Sequence, residues 1–307
     1  MKYPEFFTPF VFPEDIPILG AIRWYGLMYI VGIGVSCLIL NHLEKKGWIK
    51  FNNSKDGGAY DMVFYAAVGA IVGARVGYFL LYSPSSFLKP WEILGFNLDN
   101  GITFLGFAGM SFHGGLIGMI IGGYIFSRKY KYEFLTIADH ATLPSSFALF
   151  FGRIGNFMNA ELYGRVTDSP LGMIFPNYDA VGGYENWKAM IPAIRPYTEL
   201  RYPSQLYEAF LEGLVLALVS YIILALSQKN KNIRKGTRLF VWIFLYGLFR
   251  AVIEQFFRDV TEWTIGPITS GAIYSIIMMI VSLIMLIYIY TKKPESDKKI
   301  SKQQNKK

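Results

Sequence analysis

The sequence predicts an all-α integral membrane protein, with about seven transmembrane helices and a small extracytoplasmic head segment between spans four and five. Three observations carry that prediction. Apolar residues come in blocks close to the roughly 20 residues that a helix needs to cross a hydrocarbon core of about 30 Å. Charged residues make up only 17% of the 307-residue chain, against about a quarter in a typical soluble domain. The basic residues crowd into alternate stretches between the blocks, which is how membrane topology is written.

Seven blocks qualify, at about 18–40, 59–82, 103–126, 134–152, 205–227, 237–257 and 267–290. The fourth is short and contains Asp139, His140 and Pro144. No long polar stretch separates the blocks, so residues 1–290 read as a single polytopic domain. Lys45, Lys46, Lys50 and Lys55 fall in one connection, Arg128, Lys129 and Lys131 in another, and Lys229, Lys231, Arg234 and Lys235 in a third. With the seven lysines after residue 290, one side holds 18 basic residues. The other side holds 8, five of them between 153 and 204. The positive-inside rule then places the N-terminus outside and the C-terminus in the cytoplasm. The 153–204 stretch, rich in Gly, Pro, Tyr and Asn, is expected to form an outward head or arm with little regular structure. The 291–307 stretch reads as a basic cytoplasmic tail, disordered and close to anionic lipid.

The same distribution narrows the function classes. A net charge of +8 that is spent on topology makes a nucleic-acid partner unexpected. Cys37 lies in an apolar run and reads as an inert thiol, and no cysteine spacing suggests a metal, so neither metal nor cofactor is expected. Residues 1–15 are mixed and Pro-containing, without the pattern of a cleavable signal peptide. No internal repeat is visible, which weighs against an inverted-repeat transporter.

A charge at membrane depth costs several kcal/mol, about 2.5–3.5 on insertion scales, and commonly marks function. On the topology above, the costly groups converge. Arg23 and Tyr25 open span one from outside. Arg75 lies in the outer half of span two and His113 in that of span three. Arg153 and Asn156 end span four. Gln205, Tyr207 and Glu208 begin span five, while Arg250, Glu254 and Arg258 climb span six. Any one of these could be an interhelical ion pair or an interfacial anchor; the whole set at one level is harder to explain so. Arg250 and Glu254 stand i, i+4 and share a helix face. Several guanidiniums facing an apolar cavity suit an anionic head group with lipid tails, because arginine holds phosphate bidentately. Gly69, Gly73 and Gly77, with Gly114, Gly115, Gly118, Gly122 and Gly123, give small helix faces suited to close packing. His113, flanked by Phe112 and Gly114-Gly115, has room for a substrate to reach its ring. His42 reads as an interfacial loop residue, and His140 as a partner of Asp139 or a neighbouring helix.

These residues also form recognisable strings. Residues 152–164, Gly-Arg-Ile-Gly-Asn-Phe-Met-Asn-Ala-Glu-Leu-Tyr-Gly, resemble the signature of the prolipoprotein diacylglyceryl transferases. Segments 23–29, 111–118, 203–208 and 246–250 resemble the same family in the same order, and the likeness covers most of 18–290. Three positions depart from it. Tyr202 stands where the family usually has His, Gln255 is an extra residue that puts Arg258 at i+4 from Glu254, and Ala272 replaces a common Gln.

The resemblance implies a reaction. A cysteine thiol in the lipobox of a prolipoprotein attacks the glyceryl carbon of phosphatidylglycerol, forming a thioether and releasing glycerol phosphate. Such an enzyme belongs to the bacterial inner membrane. It needs no nucleophile of its own, because the substrate supplies the sulfur. Arg153 and Arg250 would then hold the phosphate and stabilise the leaving group. Asn156 and Tyr25 would hydrogen-bond the head group, with Glu161 and Glu254 orienting the arginines. His113 becomes the candidate thiol base. Tyr246, Arg75 and Arg258 join the substrate-binding set, and Gly164 shapes the turn into the head. A lipid transporter or flippase is the rival reading; it would want ionisable groups on both sides of the midplane.

Overall fold

The computed structural model describes residues 1–4, 6–12, 23–51, 57–84, 89, 91, 96–97, 103–104, 109–259 and 263–292. Its helices are α1 (Trp24–Lys45), α2 (Ala59–Tyr82), α3 (Phe112–Lys129), α4 (Phe134–Met158), the short α5 (Tyr184–Ala189), α6 (Ser204–Lys229), α7 (Thr237–Phe256) and α8 (Ser270–Thr291). Each of the seven apolar blocks thus contains a long helix. Five of them, α1, α2, α6, α7 and α8, are long and apolar enough to cross a membrane. Helices α3 and α4 fall short of that standard because glycines and polar groups dilute them, His113 and Arg128 in one, Asp139, His140 and Arg153 in the other.

The third block begins later than its composition suggested. Helix α3 starts at Phe112, where the Ser111 hydroxyl accepts from the Gly114 amide at 3.3 Å, an N-cap that satisfies one orphan donor of the first turn. Upstream, Phe96–Asn97 (β1) and Thr103–Phe104 (β2) pair antiparallel. The first five residues predicted for span one, and most of the basic tail, lie outside the described residues.

The chain divides into two compact units, residues 37–140 and residues 1–36 with 141–307. In the first, α2 and α3 meet along a seam of glycines. A Cβ added at Gly73 would stand 2.7 Å from the Gly118 Cα, and one at Gly77 would stand 2.7 Å from the Gly114 Cα. The two backbones are therefore in direct contact, which only small residues permit. At the far end of α3, the Phe126 ring stacks on Tyr132 at 5.4 Å, and Phe51 sets its edge to both Tyr132 and His140. His140 is thus placed against an aromatic ring.

In the second unit, α7 and α8 pack through Gly247, whose Cβ would lie 2.9 Å from both the Ser275 carbonyl and the Met279 side chain. Helix α6 widens into a π-helical stretch over Ala209–Val215. There Gly213 lets it press on Phe150 of α4, where a Cβ would come within 2.6 Å of the Phe150 Cβ.

The stretch after α4 is more regular than its composition suggested. Strands β3 (Met173–Pro176) and β4 (Tyr197–Arg201) pair antiparallel with Met173 opposite Arg201, and the Tyr3 amide donates to the Ile174 carbonyl at 2.9 Å. What orders it is an aromatic core: Tyr3, Phe157, Ala160, Met173 and Phe175 are buried together, and Tyr163 stacks on Phe175 at 5.1 Å. Gly, Pro and Asn only shape its turns. Ala160 and Leu162 hold positive φ of 53° and 57° on either side of Glu161. Non-glycine residues adopt that conformation at some cost, commonly near functional sites.

Two outcomes follow from this packing. Gly118→Ala drives a methyl into the α2 backbone and is expected to cost about 1–3 kcal/mol. Gly123→Ala, with open space at its Cβ, should be neutral or stabilising by up to about 1 kcal/mol; thermal unfolding of the two variants in detergent checks the contrast. Burial pushes the Tyr3 and Tyr178 phenols up from their ordinary value, with neighbouring tyrosines adding to it. A raised folded value means that the stability is complete below the ordinary tyrosine pKa of about 10 and is lost as pH rises above it. An alkaline titration that follows phenolate absorbance and near-UV circular dichroism together should show these phenols ionising only as the head loses its packing.

Candidate active site

One carboxylate organises the polar face of the second unit. Glu208, on the first turns of α6, is fully buried. Its Oε2 lies 2.7 Å from Arg153 Nη2 at the end of α4 and 2.9 Å from Arg250 Nη1 on α7. Its Oε1 lies 3.2 Å from Nη1 of Arg258, just past the end of α7. An unpaired carboxylate at this depth would cost several kcal/mol; with three guanidiniums its lone pairs are used and its charge is met.

The three cations are braced further. Arg250, Glu254 and Arg258 follow each other at i, i+4 and i+8, so they share one stripe of α7 and its exit. Glu254 Oε2 lies 2.9 Å from Arg250 Nη2 and 3.4 Å from Arg258 Nε. Room for that carboxylate comes from Gly271, where a Cβ would approach within 2.6 Å of Glu254 Cδ. A second buried glutamate, Glu212, sits one turn along α6. Its Oε2 is 3.8 Å from Arg153 Nη2, its Oε1 is 3.8 Å from Arg250 Nη1, and neither oxygen accepts a hydrogen bond.

Around this cluster the remaining predicted residues take distinct places. Asn156 Nδ2 donates to Glu161 Oε1 at 2.8 Å, and Asn159 Nδ2 donates to the same oxygen at 3.3 Å. The expectation that Glu161 orients an arginine is therefore not met; it holds two asparagines, while Gln205 Nε2 fixes its backbone carbonyl at 2.6 Å. Tyr25 hydrogen-bonds Tyr29 at 2.7 Å, and its Cα lies 3.2 Å from where a Cβ on Gly155 would stand. Tyr246 stacks on Trp242 at 5.5 Å, and the Trp242 indole donates to Ser146 Oγ at 2.7 Å.

Gly164 lies in the turn that leads from α4 into the head, packed closely on two other segments. Its amide donates to the Tyr202 carbonyl at 2.8 Å, and a Cβ there would collide with the Phe257 carbonyl. The next residue continues the fastening: the Arg165 amide donates to the Phe257 carbonyl at 2.9 Å, and Arg165 Nε donates to the Arg258 carbonyl at 2.7 Å. The turn after α4 is thereby tied to the exit of α7 that carries Arg258.

Arg75 and His113 belong to the other unit. Arg75 is buried, donates from Nη1 to the Gly109 carbonyl at 3.1 Å and lies 4.7 Å over the Phe79 ring. His113 is exposed on the first turn of α3 with its ring 5.8 Å from Phe112.

The family model for prolipoprotein diacylglyceryl transferase aligns with residues 15–288. The chain belongs to that family. It is 41% identical over 279 residues to the phosphatidylglycerol–prolipoprotein diacylglyceryl transferase of Rickettsia akari, covering 88% of this chain and 95% of that one. The protein of the same name from Rickettsia felis is 40% identical with the same coverage, and that from Rickettsia bellii is 37% identical over 90% and 96%. Against the family pattern, the departure at Tyr202 concerns a residue whose ring packs on Phe257 at 5.1 Å. The extra Gln255 faces away from the cluster, with Nε2 donating to the Pro267 carbonyl at 2.7 Å. Arg258 still reaches Glu208.

Two residues central to this site were absent from the predicted set. Glu208 stood among the costly groups at the start of span five but without a role, and Glu212 was not among them at all. The signal was available: two carboxylates i, i+4 in a strongly apolar span are as costly as the arginines that were noticed. Removing the charge of the first gives a direct outcome. Glu208→Gln leaves three arginines without their common partner and is expected to cost about 3–5 kcal/mol, read as a large drop in thermal stability and loss of activity.

Proposed function

We infer that this chain transfers the diacylglyceryl group of phosphatidylglycerol to the cysteine thiol of a lipoprotein precursor. Membership of the family supports the activity. The observation that carries the chemistry is the set of three arginines gathered on one buried carboxylate, each with part of its side chain accessible, at 17% for Arg153, 20% for Arg250 and 16% for Arg258. Guanidiniums held this way present spare N–H groups in fixed directions, which suits a phosphodiester.

In the proposed reaction, sulfur attacks the glyceryl carbon next to the phosphate oxygen. The carbon–oxygen bond breaks, its electrons stay on oxygen, and glycerol phosphate leaves. Arg153 and Arg250 hold the phosphate and meet the charge that grows on it. Glu254 keeps Arg250 and Arg258 in line, while Asn156 and Tyr25 hydrogen-bond the head group. The Glu161 bonds that fix Asn156 support that assignment. His113, exposed on α3, serves as base for the thiol. A thiol has an ordinary pKa near 8.5, so either a base or a nearby positive field must help it ionise. The precursor presents its lipobox cysteine on the outer side of the bacterial inner membrane. The proposal therefore sets the N-terminus outside, the C-terminus in the cytoplasm and the arginine cluster in the outer half of the bilayer, as the distribution of Lys and Arg supports.

Purified protein in detergent, given phosphatidylglycerol and a lipobox peptide, should release glycerol phosphate only when the peptide cysteine is present, with a matching gain in peptide mass. Arg153→Ala should lower kcat/KM by about a hundredfold to a thousandfold, the scale seen when one transition-state donor is removed. His113→Gln should lower the rate by about a hundredfold or more if the imidazole takes the proton. Release without peptide modification would make the protein a lipid hydrolase.

A further inference from the structure

Glu212 is a buried ionisable group that the mechanism above leaves unused. It lies one turn after Glu208 inside the π-helical stretch of α6, and its side chain is fully buried. Both carboxylate oxygens are enclosed and accept no hydrogen bond. Each nevertheless stands 3.8 Å from the guanidinium nitrogen that binds Glu208: Oε2 from Arg153 Nη2, and Oε1 from Arg250 Nη1. The same two nitrogens thus sit between two carboxylates, one engaged and one not. Buried carboxylates are ordinarily saturated with donors, so one held open beside two cations calls for an explanation. A π-helical stretch, which recurs at functional sites, carries it there.

The reaction itself supplies a use. The thiol begins with a proton on sulfur, and the phosphodiester begins with one negative charge. When the sulfur–carbon bond has formed and the carbon–oxygen bond has broken, the departing phosphate carries a second negative charge and one proton has been released. Glu208 has both oxygens on arginines, and Glu254 has its Oε2 between Arg250 and Arg258. Among the described glutamates that meet these arginines, Glu212 alone has both oxygens free of such contact within 3.5 Å.

We propose that Glu212 is the proton acceptor of the arginine cluster, taking up the proton that diacylglyceryl transfer releases. Neutralising it removes one negative charge from behind Arg153 and Arg250 as the phosphate in front of them gains one. The positive field of the two arginines is then freed for the leaving group at the moment it is needed. The total charge of cluster, lipid and thiol is unchanged by the step. This holds whichever group first receives the proton from sulfur, and it rests on the reading that Arg153 and Arg250 hold the phosphate.

The test uses full-length protein in detergent with phosphatidylglycerol and a lipobox peptide, and compares wild type with Glu212→Gln, Glu212→Asp and Arg153→Ala. Glu212→Gln keeps the shape and removes the acceptor. It is expected to fold with wild-type thermal stability, to keep KM for phosphatidylglycerol, and to lose about a hundredfold in kcat, the lower end of an acid–base contribution. Glu212→Asp should recover most of that loss. The solvent deuterium isotope effect on kcat should differ between wild type and Glu212→Gln and return with Glu212→Asp. A folded Glu212→Gln enzyme with wild-type kcat overturns the proposal. So does a loss shared equally by Gln and Asp with an unchanged isotope effect, which would mark a packing role. If Glu212→Gln does not fold, the Asp variant with its isotope effect decides alone. Should Arg153→Ala turn over normally, the phosphate assignment fails first. A crippled Arg153→Ala beside a normal Glu212→Gln refutes only the role of Glu212.

Discussion

A carboxylate buried among apolar helices is tolerable only if its charge is answered from several sides, and Glu208 is answered from three. Arg153 comes from α4, Arg250 from α7 and Arg258 from the exit of α7, so a single side chain of α6 dictates where three other pieces of chain must stand. None of these ion pairs is a strong source of stability by itself, because desolvation offsets much of the attraction. Their effect is on specificity. An arrangement that separated α4 or α7 from Glu208 would strand a charge in a site that water does not reach.

The close packing of this unit serves that requirement. Gly213 brings α6 against Phe150, three residues before Arg153, and Gly271 leaves the space that the Glu254 carboxylate fills. Gly164 and Arg165 tie the turn after α4 to the carbonyls around Phe257 and Arg258. Small residues and backbone hydrogen bonds hold the long, flexible arginines at short range. Less rotamer freedom is then lost when each guanidinium meets an anion, since the neighbouring carboxylates have already restricted it.

Much of this was legible in the sequence. Block length and charge placement locate all seven long helices, and the cost of charge at depth singles out Arg153, Arg250, Glu254 and Arg258. Three features were hidden, each for a physical reason. The start of α3 depends on Ser111 as a cap, a local signal outweighed by the apolar residues before it. Order in the head depends on Tyr3 meeting Phe157 and Phe175, a long-range contact that composition cannot encode. Glu161 holds asparagines in place of arginines from between two left-handed residues, Ala160 and Leu162, a local geometry that helical spacing does not foretell. Attention to basic residues also left the two glutamates of α6 in the background, although the arginines need them.

The pairing of Tyr3 with the head bears on how the chain assembles. The Tyr3 hydroxyl donates to the Met158 carbonyl across 155 residues of sequence, and its amide meets Ile174 farther on still. Ring closure over such a span is entropically costly and slow to form. Synthesis delivers residues 1–4 long before their partners, so they must wait, unpaired, while α1 to α4 are made. The head is consequently a late event in biogenesis, and the turn after α4 is fastened only once Phe257 and Arg258, far later in the chain, have been made.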